Sequence, residues 1–329
     1  MKVNKLFIIL LIFIIQPLVA IDKLYYYEEA QKVEKISPYL SISLYETFLN
    51  QNPPKKFRGP VLSKLFDLYI QNNKIEEFIK HVTITGLDKL RKKKAEQFKA
   101  KIAKNIGLDP VKFNTMLDLI LRTDIESREE LLALYQREKS VEILNYAFAI
   151  KIKMKDLDSL AYIVSELTDI NPSFKIIYLI KTDSNEVLNA INNASMISDL
   201  SENQKMEILY LYGMFLRQKQ KYKQSAKYFR MSASYYEDKR DYLPIGILES
   251  AKSLFLAGKK AESCDMIWNK KLLIQSESDE FLSIYCNSKQ KQNLSKLKSA
   301  FQVLSERDEG LIFRKYLKIT RNEDAKDEE

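Results

Sequence analysis

Glycine and proline are scarce in this 329-residue chain, which has 7 and 8 of them respectively. Glycine supplies the positive φ angles of hairpin turns and lets a backbone approach a phosphate group. A hairpin-rich β fold and a doubly wound nucleotide-binding fold are therefore both disfavoured. Long helices joined by few tight turns remain, and with 46% hydrophobic and 29% charged residues the chain can bury a sizeable core under a charged surface.

Residues that carry catalysis or bind metals are also few. His81 is the only histidine, which excludes paired-histidine metal motifs, and no serine is flanked by the glycines of a nucleophile elbow. We expect His81 to be an ordinary surface or half-buried residue. The neighbouring carboxylates Glu76-Glu77 and Glu129-Glu130 point in different directions on a helix and are expected to be solvated. The sequence therefore predicts a protein that is not an enzyme and that holds no cofactor and no metal.

Cys264 and Cys286 are the only cysteines. They are too few for a disulfide framework, and they lack the additional Cys or His ligands of a zinc site. In an oxidising compartment they could pair if consecutive helices bring them close. We expect two buried thiols, with the disulfide as the alternative.

The segment 1–20 differs from the rest of the chain. Lys2 and Lys5 precede an apolar run over 6–15, and the small residue Ala20 follows. This pattern is typical of a secretory signal peptide, and the run is shorter than the roughly 20 residues of a spanning helix. We expect cleavage after Ala20 and an exported, periplasmic or envelope-associated bacterial protein. An uncleaved N-terminal anchor is the alternative, since Leu18 is larger than the peptidase prefers.

Apolar residues recur at helical spacing along almost all of the remaining chain, and breaks fall at Pro, Asn or Asp clusters. Ser201 and Gln204 have the spacing of a capping box at a helix start. We predict an all-α fold with helices of roughly 10–16 residues. We divide it into an N-terminal helical-repeat region at 21–137, a second helical-repeat region at 138–318 and a disordered acidic tail at 319–329.

The clearest internal unit lies at 206–237. The residues that carry its pattern are Leu209, Tyr212, Gly213, Leu216, Ser225 and Phe229. This pattern resembles a tetratricopeptide repeat, in which a large apolar residue, Leu-Gly and Tyr on one helix precede Ala and Phe on the next. Weaker units at 141–172 and 244–270 follow the same frame. The resemblance implies a right-handed α-solenoid of antiparallel helix pairs, and a helical solenoid of another kind is the alternative.

The small residues of this unit have a physical role. Gly213 and Ser225 are small where two antiparallel helices would cross closely, and Leu209, Leu216 and Phe229 would fill the space beside the crossing.

The resemblance also implies a function. In this family, the concave groove lined by the first helix of each repeat binds peptides or protein segments. The residues that would face this groove are Tyr210, Met214, Arg217, Gln218, Asn145, Lys153, Leu248, Lys252 and Phe255. We therefore predict a non-enzymatic scaffold or adaptor with protein partners in the bacterial cell envelope.

A basic amphipathic helix is predicted at 87–104. Its cations Arg91, Lys92, Lys93 and Lys94 accompany an apolar stripe, so it would dock on anionic lipid or on an acidic partner, or simply be the solvated face of a core helix. Aromatic residues are nearly absent from it and the net charge of +9 is modest, so we predict no nucleic-acid partner. A cell-wall enzyme with a helical-repeat body is a further alternative, although the glutamate-centred motif of that class is missing.

Overall fold

A computed structural model of the chain shows a helical protein. It describes the residues 24–72, 74, 78, 93, 96–97, 99–100, 103–104, 109–138, 141–154, 156–167, 172–197, 200–233, 245–268, 270–287, 290, 292–306 and 310–324. The leader, most of the basic segment 87–104 and His81 lie outside these residues.

Sixteen helices and no β-strand occur in the described part of the chain, which confirms the all-α prediction there. The helices are α1 Tyr25–Val33, α2 Pro38–Asn50, α3 Lys55–Gln71, α4 Pro110–Leu121, α5 Ile125–Glu138, α6 Val141–Met154, α7 Leu157–Leu167, α8 Ser173–Lys181, α9 Val187–Ser195, α10 Glu202–Gln218, α11 Tyr222–Ala233, α12 Ile245–Leu256, α13 Lys260–Ile267, α14 Glu277–Cys286, α15 Gln292–Ser305 and α16 Leu311–Asp324. The last helix thus covers part of the segment 319–329.

Local sequence signals explain where several helices begin. The hydroxyl of Ser201 accepts from the backbone N–H of Gln204 at 3.3 Å, and the Gln204 side chain accepts from the N–H of Ser201 at 2.9 Å, so α10 starts in a capping box. The carboxylate of Asp109 caps α4, whose first residue is Pro110.

The turn between α10 and α11 and the turn between α12 and α13 are of the same kind. The N–H of Lys221 donates to the carbonyl of Leu216 at 2.8 Å, and the N–H of Lys259 donates to that of Leu254 at 2.9 Å. The residue before each donor has a left-handed backbone, with φ of 58° at Gln220 and 85° at Gly258. This closure satisfies the terminal carbonyls of one helix and lets the next begin at once.

The two ends of the chain pack together. Helices α1 and α2 contact α15, and α2 also contacts α14. One hydrophobic core extends from Tyr26 near the start to Leu317 near the end, while a smaller cluster lies between α8 and α10. In a linear stack of repeats, each helix pair contacts only its neighbours, so its first and last pairs would have no such contact.

A disulfide joins α13 to α14. The sulfur atoms of Cys264 and Cys286 are bonded, with their Cα atoms 5.1 Å apart. The expectation of two buried thiols is therefore wrong. Because the two helices pack side by side, residues 22 positions apart in sequence come within bridging distance.

No helix in the described part of the chain is both long enough and apolar enough to cross a membrane.

Candidate functional site

Helices α10 and α11 cross at Gly213. A Cβ atom added to this glycine would lie 2.8 Å from the ring of Phe229, so no larger residue fits without a shift. The hydroxyl of Ser225 donates to the carbonyl oxygen of Gly213 at 2.8 Å. The small residues thus allow the two backbones to approach, and Phe229 fills the space beside them with no exposed surface.

The same contact recurs 38 residues further along the chain. The hydroxyl of Ser263 on α13 donates to the carbonyl of Ala251 on α12 at 2.7 Å. These two positions follow Ser225 and Gly213 by the spacing that separates the turn residues Gln220 and Gly258. The pair α10–α11 and the pair α12–α13 therefore share one packing geometry.

Helix α12 also packs closely on α11. The hydroxyl of Ser250 donates to the carbonyl of Ala226 at 2.8 Å, and the hydroxyls of Ser253 and Ser225 lie 3.0 Å apart. A Cβ atom on Gly246 would meet the carbonyl oxygen of Phe229 at 2.5 Å. Helices α11 and α12 thus also cross closely, at Gly246. The repeat pattern does not single out this glycine.

The predicted groove residues of α10 lie on one face of that helix. Tyr210, Met214 and Arg217 are half-buried and Gln218 is exposed. The Tyr210 ring meets that of Phe229 edge-on, with centroids 5.1 Å apart, and the Arg217 guanidinium lies 5.0 Å from the centre of the same ring. Of the other predicted packing residues, Leu216 is buried and Leu209 and Tyr212 are half-buried.

Behind this face, a buried ion-pair chain connects α10, α12 and α14. Arg217 pairs with Glu249, Glu249 pairs with Lys252, and the Lys252 ammonium lies 2.5 Å from a carboxylate oxygen of Asp279. Glu249, Lys252 and Asp279 are 7%, 7% and 3% exposed. These ion pairs thereby connect three helices that are separated in sequence.

The charges of the ion-pair chain stabilise one another. Burial alone would raise the pKa of Glu249, but the positive charges of Lys252 and Arg217 outweigh it and lower that pKa to about 2. Burial alone would lower the pKa of Lys252, but Glu249 and Asp279 outweigh it and raise that pKa. Both groups stay charged at neutral pH and are poorly suited to proton transfer there. The ion pair with Glu249 instead holds the Arg217 guanidinium in a fixed orientation.

The predicted groove residues of α12 are not on an open surface. Leu248 and Phe255 are 3% and 0% exposed, and the Phe255 ring packs edge-on against that of Phe281. Lys252 is buried in the ion-pair chain. The reason is that α12 is enclosed by α11, α13, α14 and α16, so the face predicted to line the groove is covered.

The other candidate residues can be placed only in part. The side chains of Asn145 and Lys153 lie outside the described residues. So do Arg91, Lys92 and Lys94 of the basic segment, whereas Lys93 is an exposed helical residue.

A half-buried carboxyl group, which the sequence did not single out, connects α14 to the start of α2. Glu280 on α14 accepts from the hydroxyl of Ser37 and, at 3.3 Å, from the N–H of Leu40 in the first turn of α2. Burial outweighs these hydrogen bonds and raises the pKa of Glu280 to about 7. The Tyr39 hydroxyl donates to the carbonyl of Ile274 at 2.7 Å beside it.

In the described residues, no group of three or more His, Cys, Asp and Glu side chains is arranged to hold a metal ion. Comparisons with protein-family models, curated proteins and solved structures found no match to this chain.

Proposed function

We propose that this chain is a non-enzymatic scaffold or adaptor with a solenoid of tetratricopeptide type, which binds a protein or peptide segment on the partly accessible face of α10 formed by Tyr210, Met214, Arg217 and Gln218. The observation that carries the proposal is the recurrence of one helix-crossing contact, at Gly213 with Ser225 and again at Ala251 with Ser263. Repeated helix pairs of this kind present a continuous surface suited to an extended ligand.

The chemistry of the α10 face supports this role. Tyr210, Met214, Arg217 and Gln218 combine an aromatic ring, a flexible thioether, a guanidinium group and an amide at partly accessible positions. Aromatic residues, Met and Arg are the types enriched at protein interfaces. Because Arg217 is held by Glu249 and by the Phe229 ring, little side-chain entropy is lost when it binds a carboxylate.

We further propose that the protein is exported and acts in the bacterial cell envelope. The leader-like pattern of 1–20 supports this location. The disulfide between Cys264 and Cys286 supports it independently, because such bonds persist mainly in oxidising compartments.

The test is co-purification from crosslinked cells. The variant Met214→Glu with Gln218→Ala changes the α10 face and leaves the ion-pair chain intact, which Arg217 variants would not. The control is Met196→Glu, at a methionine that is 81% exposed and lies beyond the end of α9. We expect a discrete protein partner that is lost from the α10 variant and retained by the control. Unchanged partners in a variant with the wild-type melting temperature would contradict the proposal.

A further inference from the structure

A groove of about 450 Å³ lies along α11, on a different surface from the face of α10. Its lining residues are Lys223, Ala226, Lys227, Arg230, Met231 and Leu254. We propose that this groove, the α11 groove, binds an acidic peptide segment that also carries apolar side chains. The proposal does not depend on the α10 face.

The first argument is the charge of the groove. Lys223, Lys227 and Arg230 follow one another at intervals of four and three residues, which places them on one side of α11. All three side chains are exposed, and none forms an ion pair with another described residue. Like charges at this spacing repel one another, so a ligand that brings carboxylates relieves a repulsion as well as forming ion pairs.

The second argument is the apolar floor between these cations. Ala226 and Leu254 are buried, whereas Met231 is 41% exposed at the edge. The guanidinium of Arg230 lies 3.7 Å from the sulfur of Met266 on α13, which holds it beside the groove. A methionine at the edge adapts its shape to different apolar side chains. A floor of this kind between charged edges is typical of a protein-binding surface.

The shape and composition distinguish between anionic ligands. None of the lining residues that the structure describes is aromatic, so this part of the groove offers no platform on which bases of a nucleic acid would stack. The cations lie in a row along a helix and do not converge on one point, which suits several carboxylates along a peptide better than one small anion.

The test is fluorescence anisotropy with the full chain. The probe is a short fluorescein-labelled peptide with the repeated sequence Glu-Ala-Leu-Glu, and the comparison peptide has Gln in place of each Glu. We expect the acidic peptide to bind more tightly than the Gln peptide and to bind less tightly as ionic strength rises. The double variant Lys223→Glu with Lys227→Glu should weaken binding by about tenfold or more. The milder pair Lys223→Gln with Lys227→Gln replaces it if the charge reversal fails to fold.

The matched control is Lys175→Glu with Lys181→Glu, which reverses two exposed lysines on α8. It should leave the affinity within about twofold of wild type, since these lysines are outside the groove. Met231→Ala should weaken binding and Met231→Leu should retain it, because the apolar contact requires bulk at that position.

Several outcomes would overturn the proposal. Equal affinity for the Gln peptide, or an equal loss in the α8 control, would show that the groove does not select acidic peptides. Tighter binding of single-stranded DNA or of anionic vesicles through the same lysines would assign the groove to those ligands. Self-association that disappears in the α11 variant, or probe binding that appears only when 325–329 are removed, would assign it to a second copy or to the chain's own tail.

Discussion

At the scale of single residues, the close approach of α10 and α11 depends on the absence of a side chain at Gly213. The nearest atoms to a Cβ there belong to Phe229, whose ring is fully buried, meets the Tyr210 ring edge-on and lies beside the Arg217 guanidinium. A fully buried ring with these contacts cannot move freely to admit a methyl group. The tolerance of position 213 therefore measures how rigidly Phe229 is held.

Gly213→Ala is expected to lower the free energy of unfolding by about 1–3 kcal/mol, because it overpacks this crossing. Urea unfolding followed by circular dichroism measures the change. The control is Gly59→Ala on α3, a half-exposed helical glycine that precedes Pro60; here the higher helix propensity of Ala and the restriction before proline oppose each other, and the change should be less than about 1 kcal/mol. Equal effects of the two substitutions would contradict the packing of Gly213 on Phe229.

Glu280 is expected to make stability depend on pH near neutrality. Its pKa is raised from the ordinary value of 4.5 to about 7, so the folded chain holds a proton that the unfolded chain releases. This contribution is complete below about pH 4.5 and is lost as the pH rises through about 7. Wild type should thus lose on the order of 2 kcal/mol of stability from this group between those values.

The variant Glu280→Gln keeps acceptors for Ser37 and Leu40 but cannot titrate. Urea midpoints measured for wild type and variant at pH 5 and pH 8 check the prediction. The variant should show a smaller decrease between the two pH values, and an identical decrease in both proteins would exclude Glu280 as its source.

At the scale of helices, the ion-pair chain fixes how α10, α12 and α14 lie against one another. Truncation of one member removes a partner from each charge beside it in a mostly buried site, which is costly. The neighbouring pairs of α10 and α12 allow a direct comparison. Lys252 and Glu249 are a buried pair three residues apart, and Lys205 and Glu202 are an exposed pair with the same spacing.

Glu249→Ala is expected to destabilise the fold by about 3–5 kcal/mol, because Arg217 loses its carboxylate partner and the buried Lys252 keeps only Asp279. Glu202→Ala should change stability by less than about 1 kcal/mol, since its partner is solvated. Chemical denaturation at neutral pH measures both. A small effect of Glu249→Ala would indicate that water reaches the pair, and the proposed orientation of Arg217 would then fail.

The disulfide links α13 to α14 across 22 residues of sequence. In the chain-entropy model, a loop of this length stabilises the folded state by about 3 kcal/mol. A reductant should therefore lower the melting temperature of wild type, and Cys264→Ser with Cys286→Ser should melt at that lower temperature with or without reductant. A double variant that still responds to reductant would contradict this assignment.

The helices and their starts follow from local sequence, and so they were predictable. Ser201 and Gln204 are three residues apart, and their reciprocal hydrogen bonds need nothing from the rest of the chain. The contact between Gly213 and Ser225 could also be predicted, because these residues lie on helices joined by one short turn. Each of these features depends on neighbours in sequence.

The ion-pair chain could not be predicted, because it depends on helices that meet only in the folded molecule, and for the same reason the sequence left the disulfide as an alternative. Asp279 lies far from Glu249 in sequence, and nothing in either segment marks them as neighbours. Leu248 and Phe255 were placed in a groove because the repeat pattern leaves that face of α12 open. The pattern contains no information about α16, which packs against α12 and helps to cover it.

At the scale of the whole molecule, the contact between the chain ends is the main departure from an open rod. Tyr39 and Lys74 donate to the carbonyls of Ile274 and Gln275, and Glu280 accepts from the start of α2. In a linear array of repeats, a local disturbance spreads only to neighbouring repeats. The contact of α2 with α14 and α15 provides a second path by which a disturbance can spread, directly from α2 to these two helices.

Leu40→Ala tests this route. Leu40 is fully buried on α2, and the substitution should cost about 2–5 kcal/mol. Hydrogen exchange measured by mass spectrometry should then become faster in α14 and α15 as well as in α1 to α3, because these helices lose a shared core. Ile191→Ala, in the separate cluster between α8 and α10, is the matched control and should accelerate exchange there first. If Leu40→Ala accelerates exchange only in α1 to α3, the two ends do not stabilise each other and the molecule behaves as an open array.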